Sequence, residues 1–222
     1  MTQRTQNNIA ILREQFTKMF QHEKTGHSID HLERVLAYAL KICEKEGGNE
    51  NVVAVASYAH DVHRIMGSEL GRFCTPVESL PMVSELIEPL DLTQSEKQHV
   101  LFAIEHHEEY AFGKEKVTIT DIESKIVQDA DNLDAIGAFA IVRAFRYGTA
   151  NNMLDYDPSV EFYQNEYTES VNDKSTVHHL YNKSLRLGDY LHTQTARDIA
   201  KPKTKLIKDF IEIYVKEFNC NF

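Results

Sequence analysis

Cysteine is scarce in this chain of 222 residues: Cys43, Cys74 and Cys220 are odd in number and widely scattered. They suggest neither a disulfide framework nor a zinc knuckle, and a reducing cytoplasm is the simplest setting for them. Apolar runs are short. None approaches the ~18 consecutive apolar residues that span a bilayer. The polar start Met1-Thr2-Gln3-Arg4-Thr5-Gln6-Asn7-Asn8 also lacks a signal peptide's hydrophobic stretch, so no membrane partner is expected. Positive charge is in deficit: 24 Lys and Arg stand against 34 Asp and Glu, a net charge of −10. That balance argues against binding a nucleic-acid duplex by phosphate neutralisation. It leaves small phosphate esters open, because a divalent ion and a few Lys or Arg residues supply local positive charge. No Gly-x-x-x-x-Gly-Lys occurs, which excludes a P-loop motor or kinase. Alternating β-branched runs are missing too, apart from the short Lys116-Val117-Thr118-Ile119.

What is present is helical periodicity, with enough apolar residues (42%) to bury one core. Apolar residues recur at spacings of three and four near 6–23, 28–47, 51–66, 94–109, 121–149, 173–190 and 203–218. In the last stretch Leu206, Ile207, Phe210, Ile211, Ile213, Tyr214 and Phe218 form a stripe that suits either the core or a homodimer face. Ser28 could cap the second helix, Thr93 or Ser95 the one leading to His106, and Thr120 or Asp121 the one leading to Asp131. Breaks fall at Gly47-Gly48, from Gly67 to Pro81, and from Gly148 to Pro158. The last opens an irregular stretch, roughly 148–172, which is either a lid or a long surface loop. The expected fold is an all-α, single-domain helical bundle over residues 1–222. Its core spans about 20–150, with C-terminal helices 173–218 packing on it.

Within this pattern one dipeptide stands out. His60-Asp61 lies in a Val- and Ala-rich segment that reads as a buried helix. An imidazole and a carboxylate are costly there without a partner, and a metal ion accepts both. Upstream, His27 and His31 are four residues apart on one helix face. Downstream, Asp129, Asp131 and Asp134 sit in an apolar helical pattern, where a carboxylate needs a cation, donors or a proton. His31, His60, Asp61 and Asp131 therefore make a two-His, two-carboxylate set for Mn²⁺, Mg²⁺, Co²⁺, Ni²⁺ or Fe²⁺, with positions open for water and substrate.

The order His … His-Asp … Asp resembles the HD superfamily of metal-dependent phosphohydrolases. His31-Leu32-Glu33-Arg34-Val35 matches that family's His-x-x-Arg-Val, and Ala130-Asp131-Asn132-Leu133 its Ala-Asp-x-Leu. The run Asp129 to Ala138 is similar to a bacterial subgroup of small HD proteins implicated in hydrolysing nucleotide pyrophosphates or phosphate esters. The resemblance covers roughly residues 20 to 215. It implies a nucleotide or other small phosphate ester as substrate, with cleavage of a nucleoside triphosphate to monophosphate and pyrophosphate first in order. A di-iron HD-type oxygenase and a non-catalytic nucleotide-binding module are the alternatives. One departure is local: His63, with Arg64 beside it, stands where many relatives carry Gly after the His-Asp pair.

The remaining roles are assigned more loosely. Asp61, or else Asp131, would take the proton of the attacking water. His27 would hydrogen-bond a metal ligand from behind. His106 and His107, not separable by sequence, are read as substrate contacts or ligands of a second ion. His179 and Lys183, on one helix face, would carry phosphate charge. Asp30 is expected to face away, and His22, His63, His99 and His192 have no visible partner and are read as structural. Arg143 and Arg146 would lie roughly 18 to 22 Å from Asp131 on a straight helix, so both are expected in surface or interface salt bridges.

Overall fold

The computed structural model of the chain describes residues 1–21, 26–108, 119–162 and 175–221. His22, Lys116-Val117-Thr118 of the short β-branched run, and residues 163–172 of the irregular stretch lie outside these. The chain is all-α, as expected: helices throughout and no strand among the described residues, with one isolated bridge between Leu154 and Ser175. It divides into two compact units, one built from residues up to Asp131 and one from Asn132 onwards.

The first unit is organised around α3 (Glu50–Ala59), whose residues from Asn51 to Ala59 are all buried. Its small Val, Ala and Ser side chains let α1 (Gln3–Met19), α2 (Ile29–Glu46) and α6 (Gln94–His106) pack on it from several sides. Ile9, Leu12 and Phe16 from α1, Leu32 and Leu36 from α2, and Val100 and Ile104 from α6 fill the core between them. Each such side chain contributes roughly 1.5–3 kcal/mol on burial. Two amides caught in this core are paired. Asn8 Nδ2 donates to Asn51 Oδ1 at 3.0 Å, and both amides donate to the Asp91 carbonyl at 3.1 Å. Thr93, not Ser95, caps α6 and forms a capping box with Glu96, whose carboxylate also holds Arg4.

Three features depart from the sequence expectation. The helix read over 51–66 breaks at His60-Asp61 into α3 and α4 (Val62–Leu70), because Asp61 leaves the helical region at φ −92°, ψ 14°. The stretch from Gly67 to Pro81, read as a break, contains the start of α5 (Pro76–Ile87). Its signal is Thr75-Pro76-Val77-Glu78, a capping box with proline in the first turn. The helix read over 121–149 stops and restarts as α7 (Ile122–Asp134) and α8 (Ala138–Ala150). Gly137 makes that turn at φ +92°, which glycine adopts without the steric cost other residues bear. Asp121, rather than Thr120, accepts from the Ser124 amide at the start of α7.

In the second unit the turn at Gly137 brings Arg143 back onto Asp134, with Nη1 2.7 Å from Oδ2 of a fully buried carboxylate. Arg143 is thus an internal partner and not a surface or interface one; Arg146 is exposed. Residues Thr176–Tyr190 are helical but irregular, passing through a π-helical turn at Leu180–Ser184. The C-terminal helix, Gln194–Phe218, starts ahead of the expected 203, and its stripe divides: Ile207 and Ile211 are buried, while Leu206, Ile213 and Phe218 are exposed. Gly148 in α8 lies so close to Thr176 that a Cβ there would meet Thr176 Oγ1 at 2.2 Å. Gly148→Ala is therefore expected to destabilise the chain by about 1–3 kcal/mol. The loss should shrink in a Thr176→Ala background, read from urea unfolding midpoints of the single and double variants.

Candidate metal centre

The His/Asp cluster lies wholly within the first unit. Ser28 occupies the N-cap position of α2 without a side-chain cap bond, and its carbonyl accepts from the His31 amide instead. This sets His31 in the first turn of α2, with His27 just before it and their rings edge to face at 5.4 Å. The break between α3 and α4 supplies His60 and Asp61, and α7 supplies Asp131. The four side chains converge. His31 Nε2 is 3.1 Å from His60 Nε2, 3.2 Å from Asp61 Oδ2 and 3.5 Å from Asp131 Oδ1. His60 Nε2 is 3.4 Å from Asp61 Oδ2 and 3.7 Å from Asp131 Oδ1.

Hydrogen bonds behind the cluster fix which atoms face inward. His60 Nδ1 lies 2.8 Å from the Ser57 carbonyl and must donate to it, so in the neutral ring Nε2 keeps its lone pair for the cluster. His27 Nδ1 donates to Asp61 Oδ2 at 2.7 Å, and the His27 side chain keeps 22% of its exposure. Burial works against charge on His60, but Asp61 and, behind it, Asp131 outweigh that and push its pKa up to about 9. Burial also works against ionised Asp61, yet His60 and His27 hold its carboxyl well below the usual carboxylate range. Asp131 is lowered as well: burial opposes ionisation and the His60 and His31 rings overcome it. Two buried carboxylates facing two imidazole nitrogens require positive charge among them. A single proton supplies one charge and a divalent ion two. The donor set, two imidazoles and two carboxylates drawn from three parts of the fold, fits such an ion.

His106 and His107 separate. His106 packs its ring on Phe102 at 4.4 Å, and its carbonyl accepts from Gln128. His107 turns toward the cluster, its ring 5.0 Å from that of His60. Burial pushes the His107 pKa down to about 4, against the pull of Glu108. Asp30 and His99 are exposed, whereas Asp129 and Asp134 are buried. His179 and Lys183 belong to the second unit, where the neighbouring His178 is the buried one. It donates from Nε2 to the Val160 carbonyl and accepts at Nδ1 from Ser175 Oγ.

His63, read as structural, is fully buried beside this cluster, its Nε2 3.5 Å from Glu108 Oε2 and its ring 5.4 Å from that of His107. Arg64 pairs with Glu108 and lies 3.7 Å from Asp61 Oδ1. Burial opposes ionisation of Glu108, and His63 and Arg64 override it, keeping the carboxyl far below its ordinary range. The available signal was the spacing of His60 and His63, three positions apart around a helical turn.

Comparison with known proteins follows this geometry. The HD domain family model matches residues 28–136. An HD-superfamily hydrolase from Bacillus thuringiensis is 30% identical over 97% of this chain and 98% of its own, with a TM-score of 0.71. A protein of known structure from Lactobacillus plantarum aligns over 98% of this chain and 99% of its own, at 25% identity and a TM-score of 0.80. The uncharacterised protein YpgQ of Bacillus subtilis is 29% identical over 201 residues, 88% of this chain and 86% of YpgQ. The crystal structure of YpgQ in complex with ADP matches with a TM-score of 0.69 at 25% identity, over 96% of each chain. The matched domain contains all four converging side chains, the Bacillus thuringiensis relative is covered almost end to end, and the chain belongs to the HD superfamily.

Proposed function

We propose that this chain is a metal-dependent phosphohydrolase acting on nucleotides, with His31, His60, Asp61 and Asp131 as the metal ligands. The observation that carries this reading is the buried convergence of their four donor groups. When bound, a divalent ion lowers the pKa of a water ligand and polarises a phosphoryl oxygen. Asp61 accepts a proton from the attacking water. His27, partly exposed, donates from Nδ1 to Asp61 Oδ2 at 2.7 Å and holds that carboxylate in place. His107 and the Arg64 guanidinium stand beside the cluster as groups that orient a phosphate or hold its charge. Assignment of His106, His179 and Lys183 to the substrate rests on the sequence resemblance. The ADP complex of YpgQ supports a nucleotide as the ligand class. Among the described residues no helix is long and apolar enough to cross a membrane. Three unpaired cysteines support a reducing, cytoplasmic setting, and the exposed Phe139 and Val142 on α8 support a homodimer.

The test is release of phosphate or pyrophosphate from a panel of nucleoside mono-, di- and triphosphates. Chelated protein would be reloaded separately with Mn²⁺, Mg²⁺, Co²⁺, Ni²⁺ and Fe²⁺. Pyrophosphate from a triphosphate is the product expected, and phosphate alone would move the scissile bond to an ester or terminal anhydride. No release from any nucleotide by metal-loaded protein sinks the hydrolase reading, and oxygen consumption by the Fe²⁺ form would then favour the oxygenase. His27→Ala removes the bond that orients Asp61. It is expected to weaken metal binding about 10- to 100-fold, measured by competition with a chelator, with little change in helix content.

A further inference from the structure

Tyr58 is the largest side chain fully buried among the described residues, and it stands in the last turn of α3 between Ser57, whose carbonyl orients His60, and His60 itself. A buried tyrosine needs a partner for its hydroxyl. Tyr58 donates to Glu33 Oε1 on α2 at 2.9 Å. Arg13 on α1 holds the same carboxylate from the other side, Nε on Oε1 and Nη2 on Oε2, each at 2.6 Å. The Tyr58 ring rests on Phe16 of α1, with centroids 5.6 Å apart. Tyr58 and Glu33 each lie two positions from a member of the cluster, His60 and His31, whose Nε2 atoms are 3.1 Å apart. Residues two apart on a helix stand about 200° apart around its axis. The Tyr58–Glu33 bond and the His60–His31 approach therefore flank the packing of α3 on α2 from opposite sides.

We propose that Tyr58, held by Glu33 and through it by Arg13, is a positioning residue that fixes the roll of α3 against α2 and so the spacing of His60 and His31. The inference rests on the reading of those two histidines as metal ligands. Metal sites hold their ligand distances to about 0.2 Å. A side-chain atom stands ~5–6 Å from its helix axis, so a roll of about 2° uses that tolerance up. The small Val and Ala side chains of α3 set roll less sharply than a hydrogen bond does, because each dispersion contact is shallow. A bond on the flank away from the cluster opposes the roll without occupying the site.

Co²⁺ binding by the metal-free protein tests this, with chelator competition giving affinity and visible absorption reporting coordination geometry. Tyr58→Phe deletes one oxygen, keeps the ring on Phe16 and leaves the partly exposed Glu33 open to water, so the fold is expected to hold; circular dichroism checks it. Affinity is expected to fall about tenfold, the lower end of what groups behind metal ligands contribute, and the absorption spectrum to shift. Glu33→Gln keeps an acceptor for the hydroxyl but loses the charge that holds Arg13, so a smaller fall is expected; it keeps the test valid if Tyr58→Phe misfolds. The double variant should lose no more than Tyr58→Phe, since both changes cut one link. Asn8→Ala removes amide bonds at the other end of α3 and should lower stability while keeping wild-type affinity and spectrum. Wild-type affinity and spectrum in folded Tyr58→Phe and Glu33→Gln overturn the inference and leave the metal ligands standing. Equal losses in Asn8→Ala and Tyr58→Phe overturn it too, because general loosening then suffices. No Co²⁺ bound by folded wild type removes the four-ligand reading and the inference with it.

Discussion

Asp61→Ala is expected to lower metal-dependent turnover by at least about a thousandfold, because on the proposed reading it removes a metal ligand and the proton acceptor together. Asp61 is the junction of the cluster: its Oδ2 is 2.7 Å from His27, 3.2 Å from His31 and 3.4 Å from His60. Loss of its carboxylate leaves three imidazoles facing one another with Asp131 alone to balance a cation. The fold should survive, since Asp61 ends no apolar contact of the core and sits where the helix is already broken. Asp61→Asn separates the two roles, keeping the shape and one oxygen but not the charge. If turnover falls equally in both variants while bound metal falls only in alanine, the carboxylate acts on the proton. A metal-loaded Asp61→Ala protein with near-wild-type turnover would remove Asp61 from the chemistry.

Metal affinity is expected to rise about tenfold per pH unit between roughly pH 7 and 9 and to flatten above that. The cause is His60, whose pKa is pushed up to about 9, so that below that pH a cation taking Nε2 must first displace a proton. Asp61 and Asp131 release none, because both are held below the ordinary carboxylate range. The sign in the metal-free protein is opposite. A raised folded-state pKa gives stability that is full below the ordinary value of 6.5 and is lost as pH rises through about 9. At ~1.4 kcal/mol per unit this amounts to about 3 kcal/mol. Chelation should therefore lower the melting temperature more at pH 9 than at pH 7. Competition against a chelator of known pH dependence at pH 7, 8 and 9 measures the affinity, and a pH-independent result would exclude a proton on His60.

The all-α architecture was legible because a period of three to four is a property of each stretch alone. So was the group of four that converges, since His31, His60, Asp61 and Asp131 stand in apolar surroundings where their types need a reason. The breaks were harder to see. The helical pattern runs unbroken across His60-Asp61 and across residues 135–137, and a single residue leaving the helical region, as Asp61 and Gly137 do, alters no periodicity. The start of α5 was hidden by reading Pro76 as a breaker when it occupies the first turn, where its missing amide costs nothing. His63 and Glu108 escaped for another reason. Their meeting depends on how α4 and the end of α6 are arranged in space, which no local spacing records.

Three histidines that donate from Nδ1 to a backbone carbonyl share one device. His60 is the C-cap of α3 and His107 the C-cap of α6, and each ring donates to the carbonyl three residues back in its own helix. His63 does the same to His60. Helix ends leave carbonyls unsatisfied and prone to fray, and here the ring that secures the end is also the ring that aims Nε2. Fraying of that last turn and misdirection of the donor are consequently one event. Asparagine could replace the hydrogen bond but not the imidazole Nε2 aimed away from it, so helix-end order and ion retention should rise and fall together with temperature.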